Sequence, residues 1–149
     1  METKIKRFNE LELMELYEIL RCRSEVFVVE QGFPYQDLDY ADIDSTHIFM
    51  EEGGKILAYL RVIDPGVRGE AASIGRVLTM KEARGRGLAR LMMKEAIRIA
   101  KAKSPVIEIH AQSYLKDFYQ SLGFEPTSEE YILEGRPHVS MKMKRDNAF

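Results

Sequence analysis

The sequence lacks two features that mark particular classes of protein. It has a single cysteine, Cys22, which cannot form an internal disulfide, so we expect the chain in a reducing compartment, the cytoplasm. It also lacks an excess of either charge, since 22 lysines and arginines face 24 aspartates and glutamates, for a net charge of −2. This balance argues against nucleic acid or an anionic membrane as a partner.

Long hydrophobic runs are also missing. No run approaches the ~18 apolar residues of a membrane-spanning helix. The first ten residues, METKIKRFNE, contain no apolar core of the kind found in signal peptides. We therefore expect neither a membrane span nor a secretion signal.

The composition of the chain is that of an ordinary globular protein. Of the 149 residues, 45% are hydrophobic and 31% are charged. No repeat, low-complexity tract or linker divides the sequence, so we predict a single domain over residues 1–149. Only the last four residues, 146–149, have the character of a frayed tail.

Hydrophobic periodicity predicts an alternation of strands and helices. A helix is expected from residue 13 to 29, with Asn9 as its N-cap and Glu12 as the capping-box partner. Its apolar face is formed by Leu13, Leu16, Tyr17 and Leu20. Further helices are predicted over 87–103 and 113–122, and strands over 5–8, 47–51, 56–63, 73–80, 105–111, 131–133 and 138–144. This order predicts an α/β (α+β) layered domain built on one sheet.

A glycine-rich turn connects the strand at 73–80 to the long helix at 87–103. Such a turn leaves backbone N–H groups unpaired at the start of a helix, where the helix dipole favours an anion by ~0.3–1 kcal/mol. Gly85 and Gly87 let a ligand approach the backbone, and Arg84 and Arg86 add charged donors. The turn is not a Walker A loop, because no Gly-Lys-Ser/Thr follows it. It is not a dinucleotide fingerprint either, because Arg90 occupies the third glycine position. On these residues alone, a phosphate site and a simple capped turn are equally good interpretations.

A second segment, residues 106–124, helps to interpret the glycine-rich turn, because the two segments together match a known pattern. The pattern Arg/Gln-x-x-Gly-x-Gly/Ala, followed by a helix, a strand and a helix ending in Tyr-x-x-x-Gly-Phe, resembles the GNAT superfamily of acyl-CoA N-acyltransferases. The two patterns are filled by Arg84, Gly87 and Ala89, and by Tyr119, Gly123 and Phe124. The resemblance extends into the N-terminal half, where Arg23, Phe27, Glu30 and the Asp-rich loop are similar to the ElaA-type branch of that superfamily. Gln112 stands where many GNAT proteins carry asparagine.

The GNAT resemblance implies a fold and a cofactor site. The fold is a central mixed, mostly antiparallel sheet with a V-shaped splay between two central parallel strands, here 73–80 and 105–111, flanked by helices. Acetyl-CoA lies in that opening as a cosubstrate, with no metal. The backbone of Val77, Leu78 and Thr79 contacts the pantetheine and polarises the acetyl carbonyl. The pyrophosphate is held by the turn residues Arg84, Gly85, Arg86, Gly87, Leu88 and Ala89.

The resemblance also implies a general acid, whereas the base stays open. Tyr119 matches the residue that protonates the leaving thiolate and contacts the cofactor, although its ring can also serve only for packing. Glu108 and His110 are two residues apart on a predicted strand and so share a face. Either can be the base, and His47 is a third candidate. Each of the three also has a purely structural interpretation, as a hydrogen-bonded or solvated residue.

The loop before the second strand is rich in acid and allows two interpretations. Asp37, Asp39, Asp42 and Asp44 are either turn and capping residues or an acidic rim that attracts a cationic amine. Arg61 and Arg76, on neighbouring predicted strands, either bind an acidic group of the substrate or pair with acidic side chains.

The leading hypothesis is an N-acetyltransferase that transfers the acetyl group of acetyl-CoA to a primary amine. Two alternatives remain: a non-catalytic module that binds or senses acetyl-CoA, and an acyl-homoserine-lactone-type acyltransferase. The acceptor is expected to be a small-molecule amine or a peptide amine, not nucleic acid and not a membrane lipid. The chain is expected to be a monomer or a homodimer.

Overall fold

The architecture of the chain is an eight-stranded sheet with helices on both faces. The computed structural model describes residues 1–144, and the predicted tail at 146–149 lies outside them. The strands are β1 (Glu2–Arg7), β2 (Ser45–Glu52), β3 (Lys55–Ile63), β4 (Ala72–Thr79), β5 (Val106–Gln112), β6 (Glu125–Pro126), β7 (Tyr131–Leu133) and β8 (Arg136–Lys144). The helices are α1 (Leu13–Arg23), α2 (Leu88–Lys103) and α3 (Lys116–Ser121). The predicted order of elements is confirmed, with β6 as a short addition.

The sheet is mostly antiparallel. Its strand order is β1-β2-β3-β4-β5-β8-β6, and β7 pairs with β8. Among the pairs between described strands, only β4 and β5 run parallel, and they share two residue pairs, Ala72–Ile107 and Ser73–Glu108. Beyond those pairs the two strands separate, which confirms the predicted fold class and creates an opening at their carboxyl ends.

Two apolar clusters hold the helices against the sheet. On one face, α2 buries Met92, Met93, Ala96, Ile97 and Ala100 against β2 to β5. The opposite face packs against α1 and the turn that follows it, through residues that include Ile19, Cys22, Phe27 and Tyr59. The sheet is therefore covered on both sides, and the edges of the opening are fixed by packed elements.

The first helix differs from its prediction at the start and on its buried face. Asn9 lies in a 3₁₀ turn (Phe8–Glu10), and the N-cap is Glu12, whose N–H donates to Glu15 Oε1 at 2.9 Å. Leu13 and Tyr17 are 86% and 65% exposed, so the predicted apolar face is wrong at these positions.

Two charged residues share the inward face of this helix with the apolar Ile19 and Cys22. Glu15 is buried because it forms ion pairs with Lys4 and Lys6 of β1, at 3.1 and 2.8 Å. Arg23 is fully buried and is paired with aspartates from the following loop. After Arg23 the chain continues as a π-helical turn (Ser24–Glu30) that buries Val26 and Phe27. The ion pairs with distant residues allow these charges to be buried.

Candidate active site

A bulge in β4 marks the point where the sheet opens. Tyr59 faces Leu78 and Arg61 faces Gly75, so two residues, Arg76 and Val77, lie opposite a single residue of β3. Arg76 has φ = 52°, a left-handed conformation that is costly for a residue with a side chain. A bulge bends the strand that carries it, so this one directs β4 away from β5.

The loop before β2 holds the bulge in place. The Nε atom of Arg76 lies 2.8 Å from Asp37 Oδ1, in an ion pair too bent for a hydrogen bond. Its Nη2 donates to the carbonyl oxygen of Asp37 at 3.0 Å. These contacts offset the backbone strain at Arg76 and tie the loop to the opening.

Two cavities with partly shared linings adjoin the opening. The first, which we call the polar cavity, has a volume of about 600 Å³, and its lining includes Asp39, Arg61, Arg76, His110 and Arg136. The second, which we call the channel, has a volume of about 560 Å³, and its lining includes Leu78, Thr79, Arg84, Ala89 and Phe118. Both volumes suit a small organic ligand.

The two cavities meet at the splay of the strands. The residues that line both are Phe27, Gln31, Val77, Gln112, Leu115, Tyr119 and Arg136. A group that lies at this junction contacts the contents of both cavities. The junction is therefore where a ligand from one cavity can react with a ligand from the other.

The glycine-rich turn lies at the outer end of the channel. Gly85 and Gly87 have φ values of 80° and 75°, which only glycine adopts without strain. Gly87 is the N-cap of α2 and has no side chain to satisfy the N–H groups of the first turn. Arg84 donates to both carboxylate oxygens of Glu30, at 2.6 and 2.7 Å, and its Nε donates to the carbonyl of Thr79. The first-turn N–H groups of α2 thus have no side-chain cap and lie close in sequence to the Arg84–Glu30 ion pair.

Tyr119 lies at the junction of the two cavities. It is buried in α3, where its ring packs against Phe118 and Phe124 with centroid distances of 5.1 and 6.2 Å. Burial raises the pKa of Tyr119 well above the ordinary value for a phenol. Within residues 1–144, no group hydrogen bonds to its hydroxyl. Tyr119 therefore presents a protonated, unpaired hydroxyl to the junction.

Comparison with known proteins identifies the family. The family model described as an acetyltransferase (GNAT) domain matches residues 24–145. The chain belongs to the GNAT acetyltransferases. The expected superfamily is therefore confirmed.

Similar sequences and solved structures agree with this assignment. The chain is 36% identical over 137 residues to protein ElaA of Escherichia coli, covering 89% of this chain and 90% of that protein. It is 34% identical to a UPF0039 protein of Schizosaccharomyces pombe, covering 97% of both chains. Among solved structures it resembles an acyl-CoA N-acyltransferase from Pseudomonas aeruginosa, with a TM-score of 0.88, 37% identity and coverage of 96% and 99%. The crystal structure of Escherichia coli ElaA gives a TM-score of 0.89 at 34% identity, with coverage of 96% and 99%.

The histidine and glutamate predicted on β5 lie together in this GNAT fold. Glu108 and His110 share a face, and the Nε2 atom of His110 is 3.7 Å from Glu108 Oε1. His110 lines the polar cavity, whereas Glu108 is outside the set of lining residues. The Nδ1 atom of His110 is 2.7 Å from the hydroxyl of Tyr131, which is 3.0 Å from Ser140 Oγ. His110 is thus the better placed of the two for contact with a substrate in the cavity.

His47 is not among the residues that line either cavity, and its contacts favour the interpretation of a hydrogen-bonded structural residue. It is 1% exposed on β2, and its Nδ1 and Nε2 atoms are bonded to the Tyr59 hydroxyl and the Asp42 carbonyl oxygen, at 2.7 and 2.9 Å. Burial lowers the pKa of His47 below its ordinary value. Its role is to join β2 to β3 and to the acidic loop.

The acidic loop is not a free acidic rim. Asp39 accepts hydrogen bonds from Arg61, Arg68 and Arg76, while Asp42 pairs with Arg61. Arg23 binds Asp37 and Asp42 at 2.8 and 2.7 Å. Burial raises the pKa of Asp39, but the hydrogen bonds and charges of Arg61, Arg76 and Arg68 lower it well below its usual range. The interpretation in which Arg61 and Arg76 pair with acidic side chains is the correct one.

Several residues of the site were missed by the sequence analysis. Gln31 directly follows the π-helical turn, Tyr131 begins β7 and Arg136 begins β8, and the three converge only through the fold. No local motif marks them. Residues 1–144 contain no group of three or more His, Cys, Asp or Glu side chains that could hold a metal ion. No helix in the same range is long and apolar enough to span a membrane.

Proposed function

We propose that this protein transfers the acetyl group of acetyl-CoA to a primary amine, and that residues 1–149 form a single domain for this reaction. The observation that carries the proposal is the meeting of the channel and the polar cavity at Tyr119 and Val77. Acetyl-CoA enters through the channel, and the amine enters through the polar cavity. The membership of the GNAT family supports acyl transfer as the reaction.

The splayed strand supplies the pantetheine site. Leu78 and Thr79 pair with β3 on one edge of β4, while the pairing with β5 on the other edge ends at Ser73. The free backbone groups of Val77, Leu78 and Thr79 on that edge bind the pantetheine amides and polarise the acetyl carbonyl. Backbone N–H groups from Arg84 to Ala89 bind the pyrophosphate at the start of α2.

The chemistry requires one proton to be removed and one to be supplied. A neutral amine attacks the thioester carbon, the C–N bond forms, and the C–S bond then breaks. Tyr119 gives its phenolic proton to the departing thiolate and regains one from water. His110 removes a proton from the amine through a water molecule, and Tyr131 fixes the orientation of its ring.

The acceptor is proposed to be a small-molecule or peptide amine, and the reaction is placed in the cytoplasm. The single cysteine supports this location, because a chain with one cysteine has no internal disulfide to form. Burial raises the pKa of Cys22 to about 11 and so suppresses its reactivity. A buried, unreactive cysteine fits a structural role in the apolar cluster beneath α1.

We expect acetyl-CoA to stabilise the folded protein. A ligand present at 100 times its Kd raises the free energy of unfolding by about 2.7 kcal/mol. Differential scanning fluorimetry with millimolar acetyl-CoA and with CoA measures the effect as a rise in Tm. Unchanged Tm values with both compounds would contradict the proposed cofactor. Release of free thiol on adding amines then separates an enzyme from a module that only binds acetyl-CoA.

We expect the Gly87→Glu variant to lose acetyl-CoA affinity by roughly tenfold or more, equal to ~1.4 kcal/mol per tenfold. The new carboxylate extends from the N-cap of α2 and repels a bound pyrophosphate. No atom lies within 4 Å of a Cβ built at Gly87, so space does not prevent folding. Isothermal titration calorimetry with acetyl-CoA measures the change.

Gly87→Ala is the matched control, because it carries the same backbone strain at φ = 75° without the charge. It should keep most of the affinity. Equal losses in the two variants would assign the effect to strain and would contradict an anion site at this turn.

A further inference from the structure

The lining of the polar cavity carries more positive than negative charge. Four arginines line it, against two carboxylates. The six residues are Arg61, Arg68, Arg76 and Arg136, and Asp39 and Glu134. A cavity of this kind disfavours an acceptor with several positive charges and favours one that brings a negative charge.

Three of the four arginines already have carboxylate partners. Arg61, Arg68 and Arg76 all bind Asp39, with distances of 2.6 Å and 3.4 Å for Arg61 and Arg76. Asp39 is therefore surrounded by cations and is not available to an ammonium group. These side chains shape the wall of the cavity and leave little capacity to bind a ligand.

Arg136 differs from the other three. Its Nε donates to Gln112 Oε1 at 3.3 Å, and Gln112 in turn donates to Gln31 at 3.4 Å. Within residues 1–144 its Nη1 and Nη2 atoms have no acceptor. Arg136 is half-buried, and it lines both the polar cavity and the channel. A guanidinium with one edge held and the other edge open is ready to bind a carboxylate through two hydrogen bonds.

The position of Arg136 limits how far the carboxylate can be from the reacting nitrogen. Arg136 lies at the junction with Tyr119 and Val77, where the amine meets the thioester under the proposed function. A carboxylate held at that place lies only a few bonds from the amine. Glu134 lines the polar cavity but not the channel, and within residues 1–144 no ion pair joins it to Arg136.

We propose that the acceptor is a small amine that carries a carboxylate close to its nitrogen, as an α-amino acid does, and that Arg136 binds this carboxylate. The proposal rests on the proposed acetyl transfer and names the substrate class of the same site. The positive charge of Arg136 has a second effect, because a cation beside the ammonium favours loss of its proton. The same contact thus orients the amine and helps to produce its neutral, nucleophilic form.

The test compares amino acids with their carboxamides in an assay for thiol release. The pairs differ in the carboxylate and in the amine basicity that it raises. The second difference is the same for every variant, so the change in the kcat/KM ratio between wild-type protein and variant reports recognition of the carboxylate. We expect wild-type protein to prefer the free amino acid by roughly tenfold to 100-fold, the range of a charge-assisted hydrogen-bonded contact. Arg136→Gln should remove most of this preference through a higher KM for the amino acid. Turnover of the carboxamides should fall far less than turnover of the amino acids, and the KM for acetyl-CoA should stay close to the wild-type value.

Two further variants complete the design. Arg136→Lys keeps the charge without the two-pronged geometry and should restore part of the preference. Arg98→Gln makes the same substitution on the exposed side of α2 and should match wild-type protein, since Glu95 is the one partner of Arg98 among residues 1–144.

Three results would overturn the inference. The first is equal or faster turnover of carboxamides or polyamines by wild-type protein, which leaves acetyl transfer intact. The second is a raised KM for acetyl-CoA in Arg136→Gln, which assigns Arg136 to the cofactor. The third comes from calorimetry on CoA-loaded protein, which needs no turnover. An N-acetylamino acid should bind more tightly than its amide, and equal binding of the two would contradict the proposal. Absence of acetyl-CoA binding would instead overturn the proposed function itself.

Discussion

Replacing Tyr119 with phenylalanine should lower kcat for acetyl transfer by roughly 10²–10⁴-fold, the usual contribution of a general acid. The ring remains packed against Phe118 and Phe124, so the fold and the channel are preserved. Only the phenolic proton at the junction of the cavities is lost. Because that proton matters as the thiolate leaves, kcat and kcat/KM should fall together. Steady-state kinetics of thiol release, with Kd for acetyl-CoA measured separately, tests this expectation.

Two comparisons make the Tyr119→Phe result specific. Tyr17→Phe removes a phenol that is 65% exposed on α1 and should have no effect on rate. An acyl donor with a more acidic thiol needs less help from an acid and should restore part of the rate of the Tyr119 variant. A wild-type rate in Tyr119→Phe would show that the ring of Tyr119 serves only for packing and that its hydroxyl is not the acid. A matching loss of cofactor affinity would make its hydroxyl a binding contact.

The Asp42→Asn variant should lower the free energy of unfolding by about 3–5 kcal/mol, the range for breaking a buried ion pair. Asp42 is buried and accepts from Arg23 and Arg61, both at distances below 3 Å. Asparagine keeps the shape but leaves these two buried guanidinium groups partly uncompensated. Urea denaturation followed by circular dichroism gives the free energy of unfolding. Asp42 lies in a 3₁₀ turn (Ala41–Asp44), and Asp44→Asn, at an exposed position of that turn, should change the free energy of unfolding by less than about 0.5 kcal/mol.

The effect of Asp42 should also depend on pH. Burial alone would raise the pKa of Asp42. Arg23 and Arg61 lower it by more than burial raises it, so the pKa of Asp42 lies below its ordinary value. A carboxylate with a lowered pKa stabilises the fold at pH values above about 3.9, which is its pKa in the unfolded chain. It loses that contribution as the pH falls below this value. The difference between wild type and Asp42→Asn should therefore be full near neutral pH and shrink in acid. A difference independent of pH would show that charge is not the cause.

The elements that the sequence predicts well are those with a local cause. The helix α2 follows from its own apolar spacing and its glycine-rich start, and it begins and ends within one residue of the expected bounds. The face of α1 could not be predicted in the same way. Glu15 and Arg23 point inward because Lys4, Lys6 and the aspartates of a later loop neutralise them, and no periodicity rule includes partners that far away.

The same distinction, between residues marked by a local pattern and residues positioned by distant contacts, applies to the candidate site. Gly87 and Tyr119 belong to local patterns and were found from the sequence. Arg136 and Tyr131 were not, because their positions depend on how β8 pairs with β5 and β7. Gln112 faces His138 in that register, which brings the turn before β8 to the mouth of the opening. His47 had the right chemistry for a base, but its burial depends on packing against Tyr59, which a sequence pattern does not reveal.

Only two described residue pairs join β4 to β5, and we call this short connection between the two halves of the sheet the seam. On one side of the seam lie four strands anchored by α1, and on the other lie four strands that include both ends of the turn before β8. A pantetheine arm in the gap presents amide groups at a spacing that a polypeptide also offers, so it takes the place of a missing strand. Under the proposed function, the cosubstrate is thus a structural part of the sheet for the duration of the reaction. On the same proposal, release of CoA reopens the seam, so the sheet would alternate between a continuous and a divided state in each turnover.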